Sequence, residues 1–151
     1  MNILFINGGE KNGNTARMGR ALIGERPYSE IDLADTKVYD YGQVFATQDD
    51  DAFEKVLAQV RAADVLVMGS PVYWHNISGM MRNLLDRFYG PVPQGSLAGK
   101  RLFFVFQGGA PTSDMLQWGE YTMRRFAALY GMDYEGMATS DAEARTLGQR
   151  L

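Results

Sequence analysis

Short apolar runs alternate along the chain with longer, helix-spaced ones. Residues 2–6 (NILFI) are continuously apolar, as expected of a strand covered on both faces. Residues 15–23 set Ala16, Met18, Ala21 and Leu22 roughly on one helical face, with Asn14 placed as N-cap. Residues 28–33 read as a weaker strand. Residues 51–63 open on a D-x-x-E capping box, Asp51 and Glu54, and carry Phe53, Val56, Leu57 and Val60 at helical spacing. DVLVMGS (64–70) is the strongest central strand, and 78–89 follows as a helix with Met81, Leu84, Leu85 and Phe88 inward. RLFFVFQ (101–107) is another buried strand, and 113–130 a long amphipathic helix. Residues 132–139 make a fifth strand, and an S-x-x-E box at Ser140 and Glu143 starts a short last helix.

The order βαβαβαβαβα implies a parallel sheet with helices on both faces, an α/β fold. Because crossovers are right-handed, five such strands give a doubly wound three-layer sandwich. No repeat, linker or break in composition divides the chain, so residues 1–151 form a single domain. In such sheets ligands bind beyond the carboxyl ends of the strands, where the strand order reverses. That rule selects three loops: 7–14, 71–78 and 107–113. They are also the loops with the unusual residues.

Composition narrows the chemistry. With 15 basic against 18 acidic residues the net charge is −3 and no basic stripe appears, which argues against nucleic acid as a partner. Cysteine is absent, which excludes disulfides, thiol catalysis and cysteine-held clusters. The start MNILFIN is not a signal peptide, and no apolar run is long enough to span a membrane, so a cytoplasmic location is expected.

The first loop, NGGEKNGNT (7–15), nearly matches a nucleotide-binding P-loop. Gly8, Gly13 and Thr15 fall on the G-x-x-x-x-G-K-[ST] pattern, but Asn14 stands in the lysine position. The loop feeds a helix N-terminus, where free backbone N–H groups and the helix dipole favour an anion. Asn12, Asn14 and Thr15 add uncharged donors, and Lys11 adds a charge that Glu10 opposes. A triphosphate would require the missing lysine and a Mg²⁺-binding carboxylate, so one terminal phosphate suits the loop better. A plain βα turn is the competing reading, but the loop is longer than such a turn needs. The dinucleotide glycine spacing is missing, and so are the acidic residues of a response regulator.

SPVYWHNIS (70–78) joins proline, two adjacent aromatics and polar groups at a strand end. Pro71, Val72, Tyr73, Trp74 and Asn76 suit contact with a flat ligand. The competing reading has Tyr73 and Trp74 only capping the sheet edge. His75, the single histidine, has no metal-ligand or nucleophile partners and reads as structural or exposed. Gln107, Gly108 and Gly109 could bring backbone close to a ring, or could make an ordinary turn. Met115, Trp118 and Phe126 read as core or oligomer interface. No catalytic side chain and no metal site is expected.

Asn12-Gly13-Asn14-Thr15, then Gly69-Ser70-Pro71-Val72-Tyr73-Trp74, then Ser78-Gly79 with Asp86-Arg87-Phe88, together resemble the flavodoxin-like NAD(P)H-dependent FMN reductase family. The resemblance covers residues 1–112 and, more weakly, the remainder. It implies a five-stranded sheet of order 2-1-3-4-5 with FMN at its carboxyl edge and NAD(P)H as co-substrate. Asn12, Asn14 and Thr15 would hold the phosphate. Pro71, Val72, Tyr73, Trp74 and Asn76 would border the ribityl chain and ring, with Gly108 and Gly109 opposite and Asp86-Arg87 fixing helix position. Gly8, Lys11 and Gln107 complete the expected cofactor-binding set. Two departures stand out. Gly8 and Glu10 replace the family's frequent serine and arginine, which lowers the expected FMN affinity. Where iron–sulfur relatives carry cysteines, residues 38–48 read VYDYGQVFATQ.

The implied activity is hydride transfer from NAD(P)H to flavin N5, then transfer to a small acceptor: a quinone, an azo or nitro compound, ferric iron or free flavin. A homodimer or higher homo-oligomer is implied as well. Two alternatives stay open: a flavodoxin-type one-electron carrier, disfavoured by the weak acidic charge, and a non-redox FMN-binding or regulatory module, for which nine methionines leave room.

Overall fold

The computed structural model describes residues 1–42 and 49–151. Strands β1 (Ile3–Asn7), β2 (Ser29–Asp32), β3 (Val65–Tyr73), β5 (Arg101–Gln107) and β6 (Asp133–Ala138) form a parallel sheet in the order β2-β1-β3-β5-β6. This is the expected 2-1-3-4-5 arrangement, with one addition. A two-residue strand, β4 (Asn76–Ile77), folds back antiparallel on the end of β3.

Alternation along each strand builds two cores. Ile3, Phe5, Val65, Val67, Phe103 and Val105 face helices α1 (Asn14–Ile23) and α5 (Asp141–Leu147). Leu4, Ile6, Leu66, Met68, Phe104 and Phe106 face α2 (Phe53–Ala62), α3 (Gly79–Arg87) and α4 (Ser113–Tyr130). Since β1, β3 and β5 are buried on both sides over most of their length, each contains a continuous apolar run. One close approach demands glycine. A Cβ on Gly19 of α1 would lie 2.2 Å from the buried Phe5 ring, so the helix sits directly on the sheet.

Two helix starts differ from the expected ones. Gly13, not Asn14, is the N-cap of α1, and no side chain caps this helix. Asn14 is instead its first residue, with Oδ1 accepting from Arg17 Nη1 at 3.0 Å. Asp51 does not make a reciprocal box with Glu54. Helix α2 begins two residues later, and the Asp51 carboxylate is held by Arg87 through Nη2–Oδ2 2.5 Å and Nη1–Oδ1 3.1 Å. Arg87 is 7% exposed, donates also to Tyr39 O at 3.0 Å, and stacks 4.7 Å from the Phe53 ring centroid. The expected positioning role of Arg87 thus takes a definite form: it clamps the segment before α2 onto α3.

Burial works against the Asp51 charge, but the Arg87 hydrogen bonds and positive charge outweigh it, holding the carboxyl below its usual range. A depressed carboxyl stabilises the fold above the unfolded-state value and loses that contribution as pH falls through the folded-state value. Asp51→Asn leaves Arg87 buried without its counter-charge and is expected to destabilise by about 3 kcal/mol at neutral pH. Denaturant unfolding should show the gap between wild type and variant closing as the pH is lowered past the carboxylate range. A pH-independent gap would assign the loss to packing.

Candidate functional site

The order reverses between β1 and β3, and the loops leaving these strands are tied together there. Asn7, fully buried at the end of β1, donates from Nδ2 to Asp32 Oδ1 at 2.7 Å and to Glu10 O at 3.2 Å. Its Oδ1 accepts from Gly9 N–H at 3.0 Å. One amide side chain therefore shapes the turn, a role invisible in the sequence because asparagine there also suits an exposed loop. Gly8 N–H donates to Gly69 O at 2.8 Å, and Ser78 Oγ donates to Gly8 O at 2.6 Å. Ser78 Oγ also accepts from Met81 N–H, capping α3, while its own N–H donates to Ser70 Oγ. At the third strand end, Gln107 Nε2 donates to Thr15 Oγ1 at 3.2 Å.

Two adjoining hollows open above these ties. The first, of about 240 Å³, lies between the loop before α1, the end of β3 and the start of the 107–113 loop. Asn14, Thr15, Pro71, Val72, Tyr73, Gln107, Gly108 and Gly109 line it, as expected, together with Glu10 and Gly13. The N–H groups in the first turn of α1 have no intrahelical acceptor and no capping side chain, so they are available to an anion. The second hollow, of about 250 Å³, shares Val72, Gly108 and Gly109 and adds Trp74, His75, Ala110, Pro111 and Met115. Together they have the size of a small-molecule site, and the second is the less polar of the two. Larger hollows at the amino ends of β1 and β2 (about 390 Å³) and between α3 and α4 (about 370 Å³) lie away from the switch point. Among the described residues no cluster of metal-ligating side chains occurs.

Four expected residues do not line the hollows. Lys11 points away, its Nζ 2.5 Å from Asp35 Oδ2. Asn12 has a left-handed backbone (φ 62°), and its Oδ1 accepts from Arg20 Nη1 at 3.0 Å. Gly8 lies buried beneath the loop, where a Cβ would meet Gly69 O at 2.9 Å. Asn76 sits in β4 and caps Ile77 N–H with its own Oδ1. His75 is exposed, as expected, yet it borders the second hollow, and so does Met115. Trp118 is exposed and Phe126 is core.

The β3–β4 hairpin is the site's unusual feature. Its two-residue loop, Trp74-His75, has both residues at positive φ (45° and 67°). That backbone matches strand twist but is normally supplied by Asn-Gly. Trp74 is 91% exposed and meets the His75 ring edge to face at 5.5 Å. Without turn-type residues the hairpin could not be read from sequence, which is why β3 runs past Ser70.

Comparison with known proteins agrees with this geometry. The family model described as NADPH-dependent FMN reductase matches residues 1–134. An iron-sulfur flavoprotein of Archaeoglobus fulgidus is 30% identical over 98 residues, 58% of this chain and 48% of that protein. The chain thus spans about half the length of the curated relative it matches. It has no cysteine, and residues 43–48 of the 38–48 stretch singled out in the sequence lie outside the described residues. A flavone reductase structure superposes with a TM-score of 0.80 at 19% identity, covering 99% of this chain and 61% of that one. An apo NADH:FMN oxidoreductase structure superposes with 0.70 at 20% identity, covering 98% and 84%. At these identities the structures share the fold.

Replacing Trp74-His75 by Asn-Gly is expected to stabilise the protein by about 1 kcal/mol, read as a thermal midpoint higher by about 2–4 °C. A lowered midpoint would mean that side-chain contacts at the tip outweigh the backbone strain. Ser78→Ala removes a helix cap and the donor to a buried carbonyl, and is expected to lower stability by about 2 kcal/mol. Ser78→Thr, which keeps the hydroxyl, should recover most of that loss in the same melts.

Proposed function

The chain belongs to the NADPH-dependent FMN reductase family, and on that premise we propose that it is an oxidoreductase that binds FMN in the paired hollows, takes hydride from NAD(P)H and reduces a small acceptor. The observation that carries this reading is the pairing itself. A hollow of backbone amides and hydroxyls at a helix N-terminus adjoins one walled by Val72, Trp74, Pro111 and Met115 at the switch point.

The residues present fit the cofactor. Asn14, Thr15 and the first-turn amides of α1 would hold its phosphate. Pro71, Val72, Tyr73 and Trp74 would border the ribityl chain and ring from one side, with Gly108 and Gly109 from the other. A Cβ on Gly108 would lie 3.1 Å from Val72 Cβ, so glycine eases the close approach of the loop after β5 to the end of β3. Bound FMN would supply the redox chemistry, accepting hydride from a nicotinamide and returning electrons to a quinone, an azo or nitro compound, ferric iron or free flavin. The protein's share is binding and orientation. Glu10, Tyr73 and His75 are the ionisable side chains among the residues lining the hollows.

Protein loaded with FMN, freed of excess and titrated anaerobically with NADPH and then NADH should lose its visible flavin absorption rapidly with at least one of them. Parallel initial-rate lines with an added quinone are expected too. A bound flavin that stays yellow with both nucleotides would replace the reductase by an electron carrier.

A further inference from the structure

The phosphate end of the cleft is polar without being basic. The first hollow is lined by no lysine or arginine, and its one acidic lining residue is Glu10. The cations close by in sequence are engaged elsewhere. Lys11 pairs with Asp35 at 2.5 Å. Arg17 pairs with Asp141 at 3.0 Å and donates to Asn14 Oδ1. Arg20 makes a two-point pair with Glu30, at 3.1 and 2.8 Å, and donates to Asn12 Oδ1. Glu10 cannot easily be moved from the rim. Its carbonyl accepts from both Asn7 Nδ2 and Gly13 N–H, which fixes its backbone, and its side chain is exposed beside the hollow.

A dianionic phosphomonoester placed there gains amide donors and the helix dipole, worth about half a positive charge. It also meets a full negative charge, with no side-chain cation to offset it. The two contributions oppose each other, whereas the ring end of the cleft is untouched by the balance.

We propose that Glu10 makes this a flavin site with little preference for the 5′-phosphate, one that takes riboflavin and FMN with comparable affinity. The inference rests on the reading of the cleft as a flavin site and adds the ligand's chemical class: the isoalloxazine and ribityl portion carries the recognition.

Quenching of flavin fluorescence, measured for FMN and for riboflavin at fixed ionic strength, tests this without any turnover. For the wild type the two dissociation constants should agree within about tenfold. Glu10→Gln should tighten FMN by about three- to tenfold and Glu10→Arg by more, since both act through charge, while riboflavin binding stays unchanged. Because Glu10 is exposed, both variants should melt like the wild type, which circular dichroism checks. FMN bound more than about a hundredfold tighter than riboflavin by the wild type would overturn the inference. So would an FMN-to-riboflavin ratio that Glu10→Gln and Glu10→Arg leave unmoved, and in either case the flavin site itself would stand. Binding of neither flavin by any of the three folded proteins would remove the flavin site and this inference together.

Discussion

The Ser78 hydroxyl holds the working edge of this sheet in register. Its Oγ donates to Gly8 O at 2.6 Å and accepts from Met81 N–H at 3.2 Å. One atom thus joins the loop after β1 to the first turn of α3. The site needs such a tie because its loops leave the carboxyl ends of three different strands and share no secondary structure. Ser70 extends the connection by accepting from Ser78 N–H, and Gln107 closes it on Thr15. All the bonded groups on the β1–β3 side are buried, so each bond has no water to compete with and would be costly to leave unmade. The cleft is consequently a product of the polar layer beneath it, and the lining residues inherit their positions from that layer.

The fold was legible because its signal is redundant. Each central strand contains an unbroken apolar run, the longer helices carry a 3.6-residue stripe, and the two patterns alternate along the chain. Burial on both faces forces the first pattern and burial on one face the second. Arg101–Gln107 and Ser113–Tyr130 accordingly begin and end where the sequence places them. The helix starts were less legible. Capping patterns name residues that can accept an N–H, and Asp51 does accept from Phe53 N–H at 3.3 Å, but its ion-pair partner is Arg87, 36 positions away, and Ala52 takes the cap position. Asn14 loses the capping position to Gly13 because the loop enters α1 in extended backbone, one residue earlier than the asparagine would require.

The candidate site was legible in its chemistry and less so in its geometry. Glycine, proline and adjacent aromatics marked the loops that line the two hollows, since those residues are poor core material wherever they occur. Which of them face the cleft depends on partners that a sequence does not display. Lys11 and Asn12 belong to the loop by composition but are turned outward by Asp35 and Arg20. Glu10 and Gly13, next to them in the chain, face inward instead. Asn7 was readable only as a strand end, although it organises the turn through three hydrogen bonds.

The tip of the β3–β4 hairpin shows where stability yields to the site. Two non-glycine residues in the left-handed region are individually unfavourable by about 1 kcal/mol or more. The turn also holds an indole that is almost wholly in water. Neither feature helps the sheet, whose register is already set by seven β3–β5 pairs, from Val65↔Arg101 to Pro71↔Gln107. What the arrangement does achieve is to stand Trp74 and His75 beside the second hollow, opposite Gly108 and Gly109, on a short rigid ribbon. A flexible loop could carry the same side chains but would have to order them each time a ligand bound, at an entropic cost for every residue fixed. Strain built in during folding would spare a complex at this rim that cost. The polar layer under the cleft and the strained ribbon at its rim therefore have different tasks: the first fixes the loops of the first hollow, and the second fixes Trp74 and His75 at the edge of the second.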